Sequence, residues 1–490
     1  MKSFGKIIAI LLIICLILPL CSCSGGSNER IYVSLGSMPR TLDPQSASSD
    51  SELLIARNIY EGLTRRDNNG NIVLAACESY DFSNLTYTFT LKDGIKWSDG
   101  EPITADDFVF GIKRALLPET EAPFAGLLYA IKGAAAVSGG NAAADTLGIS
   151  APDSKTVKIE LEYDDKNFLE TLSMPVSMPC REDFFYNSIG RYGLQKDNVL
   201  CSGSYKLARW NKEGNGIRLY VNEQYKGDFK PKNGGVFIAK DKEKTEAEKL
   251  TSGEADIALL PSKYLADIEN KDIKQVSVEN ICWVLSLGGE LSEGIKKAFC
   301  MCYSYDTYSA DLPYGFTVAQ SFIPGVFSDG ETGSQGKYGI PYDPDAARSV
   351  LAVEIQGLKN KKFPQTTLVY YESEQLRPAI TAIVGDWQNK LVTFVNIKAT
   401  DKSLEGELKS HTQSLCAFPV KADSSLADYL SKFGITYEGD PAGVNSRIAA
   451  RNNLIPIAFE NTTFGYLKNI SEVYISAVGG YIDFSYVVKK

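Results

Sequence analysis

The chain has 490 residues, a length that suits two or three domains. Its composition, 44% hydrophobic and 23% charged, is that of a globular protein with a buried core. The formal net charge is −9 and the chain has no basic block, so we expect no nucleic-acid partner.

The N-terminus predicts an exported protein. Residues 7–18 form an apolar run behind two lysines, which is too short to span a membrane comfortably and is typical of a signal peptide over residues 1–22. The letters LCSC at residues 20–23 resemble a bacterial lipobox, with Cys23 as the residue that would carry lipid. Two acyl chains on Cys23 would anchor the protein at the extracellular or periplasmic face of the cell membrane. The alternative is an uncleaved signal anchor.

A strand, two tight turns and a helix are predicted in succession over residues 86–110. Apolar residues alternate with threonines over residues 86–91, the period of a half-buried β-strand. Two Asp-Gly pairs mark turns on either side of residues 95–97, which we expect to form a short return strand. Thr104 is expected to cap the helix, with Asp107 at the capping-box spacing.

Short strands and helices alternate along the rest of the chain. The apolar patterns predict strands over residues 156–161, 204–207, 257–260 and 366–371, and helices over residues 241–250, 343–352 and around 380–387. No internal repeat, low-complexity segment or clean linker separates them. The pattern therefore predicts a mixed α/β chain whose domains are built from discontinuous segments.

The search for catalytic and metal-binding motifs finds none. His411 is the only histidine, which excludes multi-histidine metal sites, and there is no G-x-S-x-G nucleophile motif. Pairs of carboxylates carry little information among 60 acidic residues. Seven cysteines follow Cys23, an odd number that leaves at least one thiol unpaired, and buried structural thiols are the favoured interpretation. We expect no enzyme activity, no cofactor and no metal.

Eight short motifs stand in a specific order along the chain. They are Leu42-Asp43-Pro44, Tyr60-Glu61-Gly62-Leu63, Trp97-Ser98-Asp99-Gly100, Thr104-Ala105-Asp106-Asp107-Phe108, Gly203-Ser204-Tyr205-Lys206-Leu207, Ser252-Gly253-Glu254-Ala255-Asp256-Ile257, Tyr342-Asp343-Pro344-Asp345-Ala346-Ala347 and Ile455-Pro456-Ile457. In order and spacing the chain resembles the family 5 extracellular solute-binding proteins, the oligopeptide- and dipeptide-binding receptors of bacterial ABC importers.

The resemblance implies an α/β, two-lobe, periplasmic-binding-protein-like (type II) flytrap with an extra inserted subdomain in the first lobe. The first lobe would take residues 23–275, with about 50–155 inserted, and the second lobe residues 276–460. Residues 461–490 would return to the first lobe. A peptide would add as a strand between the lobes, and the closed monomer would deliver it to the permease subunits.

The resemblance also implies a ligand site. Its candidate ligand-binding residues are Phe418, Val420, Ala422, Asp423, Cys282 and Trp283. The family's acid, which pairs with the ligand's α-amino group, falls on Asp423; the alternative is an Asp423 that caps a helix starting near residues 424–425. Trp97 is weighed as a ligand contact or a buried hairpin residue, and the buried role is favoured.

Departures from the family pattern leave three functions open. Val420 stands where peptide-binding members carry tryptophan, and Pro419 removes a backbone donor beside it. The protein is therefore expected to be a peptide receptor with altered preference, a receptor for a non-peptide ligand, or a degenerate lipoprotein that binds a protein partner.

Overall fold

The structure is a computed structural model. It describes residues 29–211, 216–240, 243–269, 271–288, 291–327, 340–371, 376–400, 415–423, 426–433, 444–449 and 454–490. The predicted signal peptide, Cys23 and His411 lie outside the described residues.

The described strands are β1 (Ile31–Ser34), β2 (Thr64–Arg66), β3 (Ile72–Leu74), β4 (Cys77–Ser83), β5 (Thr86–Leu91), β6 (Ile149–Asp153), β7 (Thr156–Glu160), β8 (Tyr205–Asn211), β9 (Gly216–Val221), β10 (Val236–Ala239), β11 (Ile257–Leu260), β12 (Ile273–Leu287), β13 (Phe316–Val318), β14 (Thr366–Tyr371), β15 (Val395–Thr400), β16 (Leu415–Lys421), β17 (Leu454–Leu467), β18 (Ile470–Ser471) and β19 (Val488–Lys489).

The described α-helices are α1 (Asp50–Ile59), α2 (Ala105–Leu116), α3 (Ala134–Ser138), α4 (Phe168–Thr171), α5 (Glu182–Asn187), α6 (Glu246–Thr251), α7 (Leu265–Ile268), α8 (Glu293–Met301), α9 (Pro344–Gly357), α10 (Arg377–Leu391), α11 (Leu426–Ser431) and α12 (Val444–Ala449).

One mixed sheet runs through the molecule. Within the described ranges it has eleven strands, in the order β15-β14-β16-β12-β17-β11-β1-β10-β9-β8, and β13 also pairs with β17. The strands β12 and β17, with 15 and 14 residues, are long neighbours that run antiparallel. Their length lets them link the two halves of the sheet.

Two large hydrophobic cores lie along this sheet, and a smaller third cluster takes buried residues between 247 and 268. The first core gathers buried residues between 31 and 257 and between 464 and 487, and the second core those between 282 and 459. The strands β12 and β17 pass from one core to the other, so the change of core takes place within continuous strands. The lobe boundaries at 275/276 and 460/461, and the insertion at about 50–155, stay predictions.

A separate four-stranded sheet, in the order β4-β5-β7-β6, belongs to the first core. The alternation predicted for β5 is confirmed, because Tyr87, Phe89 and Leu91 are buried and the threonines between them are half-exposed. The helix α2 begins after Thr104, whose backbone N–H donates to Asp107 Oδ2 at 2.8 Å. The predicted capping box is therefore confirmed.

Two sequence predictions are wrong in detail. Residues 95–97 do not form a return strand: Lys96 makes only an isolated bridge to Pro102, because this turn closes on itself through the bond from Trp97 N to Glu101 O (2.8 Å). The predicted helix over 241–250 is α6, which begins only after its cap Thr245 and ends at Thr251. The other predicted strands and helices are present, and α9 extends five residues further than expected, to Gly357.

Candidate functional site

The structure brings the predicted residues of β12 and β16 together. These strands pair antiparallel, so that Cys282 lies opposite Val420, and Trp283 lies opposite Pro419. Phe418 is two positions from Val420 on the same strand and therefore points to the same face of the sheet. These residues form a patch on two neighbouring strands, in which Trp283, one position from Cys282, points to the opposite face of the sheet. Their role in ligand binding stays a prediction.

Most side chains of this patch are buried in the second core. Cys282 and Ala422 have no exposed surface, whereas Phe418 is half-buried. Burial also raises the pKa of the Cys282 thiol, which therefore stays neutral. The side chains of Cys282 and Ala422 are therefore not accessible at the surface in this conformation, whereas part of Phe418 is.

Trp283 connects the patch to the half-buried carboxyl group of Glu460. Its indole Nε1 donates to Glu460 Oε2 at 2.8 Å, and Ser262 Oγ donates to Glu460 Oε1 at 2.7 Å. Burial raises the pKa of Glu460, which lies on β17 where the strand leaves the second core. The hydrogen bond to Glu460 fixes the orientation of the Trp283 side chain, which is only 4% exposed.

Asp423 follows β16 and is engaged by a cation of the same chain. Lys432 Nζ lies 2.9 Å from Asp423 Oδ2 and also donates to the carbonyl oxygen of Lys421 at 2.8 Å. Neither side chain is deeply buried, since 16% of Asp423 and 29% of Lys432 remain exposed. The sequence analysis missed Lys432, although its spacing from Asp428 is that of a helical ion pair, and the two are 3.7 Å apart.

Contacts between the two cores surround Asp423. Lys421 Nζ forms an ion pair with Asp50, at the start of α1 in the first core. Gly479 N donates to the carbonyl oxygen of Ala422 at 2.8 Å. The segment that carries Asp423 is therefore in direct contact with the first core.

Arg57 faces the same boundary from the last turn of α1. Its guanidinium lies 4.1 Å from the centre of the Tyr481 ring, and Nη2 lies 2.9 Å from the sulfur of Met174. No ion pair to Arg57 is present among the described residues, and burial lowers its pKa. Sequence reasoning missed Arg57 and Tyr481, because they meet only through the fold.

Two small cavities flank Arg57. They have volumes of about 20 Å³ and about 10 Å³, and both are lined by Arg57 and Tyr481. A water molecule needs roughly 10–15 Å³, so each has room for about one water. A larger open groove of about 510 Å³ lies elsewhere, at the edge strand β15, and includes no predicted site residue.

Asn280 joins three segments where the two cores meet. Its carbonyl oxygen accepts from Ala422 N at 2.8 Å, and its Oδ1 accepts from Thr462 Oγ1 at 2.8 Å. Its buried Nδ2 has no hydrogen-bond partner in the described part of the chain. A Cβ on Gly480 would lie 2.7 Å from this nitrogen, so the loop at Gly480 approaches as closely as glycine allows.

Trp97 lies in the first core and is fully buried. Its Nε1 donates to Asp107 Oδ2 at 3.1 Å, which ties the turn at residues 93–100 to the first turn of α2. The favoured interpretation of Trp97 as a buried hairpin residue is confirmed.

With this geometry in place, the family can be assigned. The family model described as "Bacterial extracellular solute-binding proteins, family 5 Middle" matches residues 71–435. The chain is a family 5 extracellular solute-binding protein. The match covers more than half of the chain and confirms the resemblance drawn from the sequence motifs.

Individual proteins agree with membership of family 5. The chain is 29% identical over 403 residues to a dipeptide-binding protein of Lactococcus lactis, covering 76% of this chain and 72% of that protein. It is 30% identical over 247 residues to a probable deoxycholate-binding periplasmic protein of Escherichia coli, covering 47% and 44%. The structure of Listeria monocytogenes OppA bound to peptide superposes with a TM-score of 0.76 at 20% identity, over 95% of this chain and 100% of that chain. The expected type II flytrap fold is confirmed.

The described part of this family 5 protein contains neither a candidate metal site nor a candidate membrane span. Within the ranges that the structure describes, no group of three or more His, Cys, Asp or Glu side chains is placed to hold a metal ion. No described helix combines the length and the apolar character that a membrane span requires. The seven cysteines after Cys23 all lie in the described ranges, where they are buried and form no disulfide.

Proposed function

We propose that this protein is a lipid-anchored receptor on the outer face of the cell membrane that captures peptides between two lobes. It delivers them to the permease subunits of an ABC importer. Lipid on Cys23 anchors it, and it acts as a monomer without catalysis, cofactor or metal. The lobes comprise residues 23–275 with 461–490, and residues 276–460, with about 50–155 inserted in the first.

The observation that carries this proposal is the presence of fixed charges of both signs where the two cores meet. Asp423 lies beyond the end of β16, and Arg57 lies at the end of α1. A peptide carries an ammonium group and a carboxylate, and each needs a counter-charge when closure removes it from water. Asp423 is the proposed acceptor of the ammonium group, which would have to displace Lys432 Nζ, 2.9 Å from Asp423 Oδ2.

The predicted patch supplies the rest of the proposed site. Its members are Phe418, Val420, Ala422, Cys282 and Trp283. Cys282 and Trp283 already pair with β16 on one side and β17 on the other. The proposed backbone contact with an extended ligand therefore falls on β16 beyond Ala417, where no pairing with β14 is present among the described residues. Such a backbone contact gives affinity with little side-chain selectivity, as a receptor of many peptides requires.

Native mass spectrometry of the protein purified without refolding tests the function. The expected result is a set of extra masses, between two and several amino acids in size, that dissociate as peptides on denaturation. Peptide-free protein whose melting temperature is unchanged by an equimolar tetrapeptide pool would refute the proposal.

A second candidate is a receptor for a non-peptide ligand. It is supported by the relative named as a probable deoxycholate-binding protein and by Val420, which replaces the family's tryptophan. An increase in melting temperature with deoxycholate, and none with the tetrapeptide pool, would favour it. A protein-binding role predicts no increase with either.

A further inference from the structure

We infer that Lys432 occupies the position of the ligand's ammonium group at Asp423 and thereby removes the receptor's preference for a free amino terminus. This inference rests on the proposed function, because it concerns the same acid. Specificity at the amino terminus of the ligand would then depend on Lys432, which lies outside the family motifs.

The first step is the geometry at Lys432. Its ammonium lies 2.9 Å from Asp423 Oδ2, 2.8 Å from the carbonyl oxygen of Lys421 and 3.7 Å from Asp428 Oδ2. Two carboxylates and one carbonyl are the kind of acceptors that a ligand's α-amino group would need. The chain thus already fills this place with a group of the same chemistry.

The second step is competition. Lys432 is tethered nine residues from Asp423, so its ammonium competes at an effective concentration on the order of millimolar or more. A ligand amine must displace it and gains only the difference between two similar ion pairs. A ligand whose amino terminus is blocked leaves the Lys432 pair intact and loses little.

The neighbouring Lys421 is not the competitor for Asp423. Lys421 is only two residues from Asp423, but its ammonium is paired with Asp50 across the boundary between the two cores. Its carbonyl oxygen, not its ammonium, takes part in the arrangement around Asp423. The competing cation is therefore Lys432.

The test compares an equimolar tetrapeptide pool with the same pool N-acetylated, using native mass spectrometry and calorimetry. Wild type is expected to bind both pools within about threefold. Lys432→Met is expected to favour the free pool by about tenfold or more, because Asp423 is then free to pair with the ammonium group of the ligand. The double variant Lys432→Met with Asp423→Asn should lose that preference.

The matched control is Lys390→Met, which removes a lysine paired at 3.3 Å with Asp386 on α10. It should bind both pools as wild type does. A wild-type preference of tenfold or more for the free pool, or an unchanged ratio in Lys432→Met, would overturn the inference.

A second readout needs no ligand. Acylation of Lys432 by an amine-reactive ester, followed by peptide mapping, should be several-fold faster in Asp423→Asn than in wild type, because the ion pair protects the amine. Equal rates would overturn the inference. If neither pool binds to any variant while Lys432 is still protected, the proposed peptide function is rejected and the occupied acid is supported.

Discussion

At the scale of single residues, Trp97 contributes its buried indole and its bond to Asp107 to the first core. Trp97→Ala is expected to lower the free energy of unfolding by about 3–5 kcal/mol, because it leaves a cavity and removes one of the hydrogen bonds to Asp107 Oδ2. Urea denaturation followed by circular dichroism measures this loss. Trp210→Ala, at a half-buried position, is the control and should cost less. A stable Trp97→Ala protein that no longer binds ligand would instead make Trp97 a ligand contact.

Asp107 makes stability depend on pH. Burial raises its pKa from 3.8 to about 6, against the opposing effect of the bonds from Thr104 N and Trp97 Nε1. The unfolded chain ionises this group first, so its contribution to stability is greatest below pH 4 and declines as pH rises to about 6. A shift of this size corresponds to about 3 kcal/mol.

Asp107→Asn removes this titration. Between pH 4 and pH 7, the unfolding free energy of wild type is therefore expected to decrease relative to that of Asp107→Asn. Urea denaturation at intervals of half a pH unit measures it. A difference that stays constant with pH would contradict the raised pKa.

Cys23 is the residue on which membrane attachment depends in our proposal. Cys23→Ala is expected to abolish lipid attachment and to shift the protein out of the mature membrane-bound form, because no thiol remains at the modified position. Mass spectrometry of the N-terminus and membrane fractionation measure both effects. Cys21→Ala is the control and should be processed normally. Acylated, normally processed Cys23→Ala would show that the lipid is elsewhere.

At the scale of elements, the loop that contains Gly480 packs against β12 and β17. Gly480 has φ +60°, and a Cβ there would lie 2.7 Å from Asn280 Nδ2 and 2.8 Å from Thr462 Cβ. Gly480→Ala is expected to destabilise the protein by about 1–3 kcal/mol through this overlap. Gly190, with φ +71° and open space around it, is the matched control for backbone strain alone.

Thermal and urea unfolding of both glycine variants separate the two effects. Gly190→Ala reports the strain of a left-handed alanine, and the additional loss in Gly480→Ala reports the overlap. Equal losses would mean that the loop moves away from Asn280 at no cost.

At the scale of the whole molecule, the ion pair between Lys421 and Asp50 links the two cores. Asp50 is 54% exposed, so the pair contributes about 0.2–1 kcal/mol to the contact between the two cores. Lys421→Met should therefore increase the ratio of open to closed molecules up to about fivefold. Single-molecule energy transfer between a dye on each lobe measures that ratio.

The control for lobe opening is Lys468→Met, which breaks an ion pair of 2.8 Å with Asp272. It should leave the distribution unchanged. Asp50→Asn should act as Lys421→Met does, with no further opening in the double variant. An unchanged distribution in Lys421→Met would mean that other contacts hold the lobes.

The local elements and the family could be predicted from the amino-acid sequence alone. The alternation of β5, the capping box at Thr104 and the Asp343 cap of α9 depend on residues within a few positions of one another. Such patterns are read directly, because periodicity and capping are properties of the local backbone. The ordered motifs then identified the solute-binding family and, with it, the two-lobe fold.

The partners of the charged side chains could be identified only from the tertiary structure. Asp423 was predicted from its motif, but its pairing with Lys432 depends on how α11 packs beside β16. The contact of Arg57 with Tyr481 joins residues from opposite ends of the chain. Local sequence patterns do not predict such contacts. Side chains far apart in sequence are brought together by the burial of apolar surface, and this driving force is non-directional.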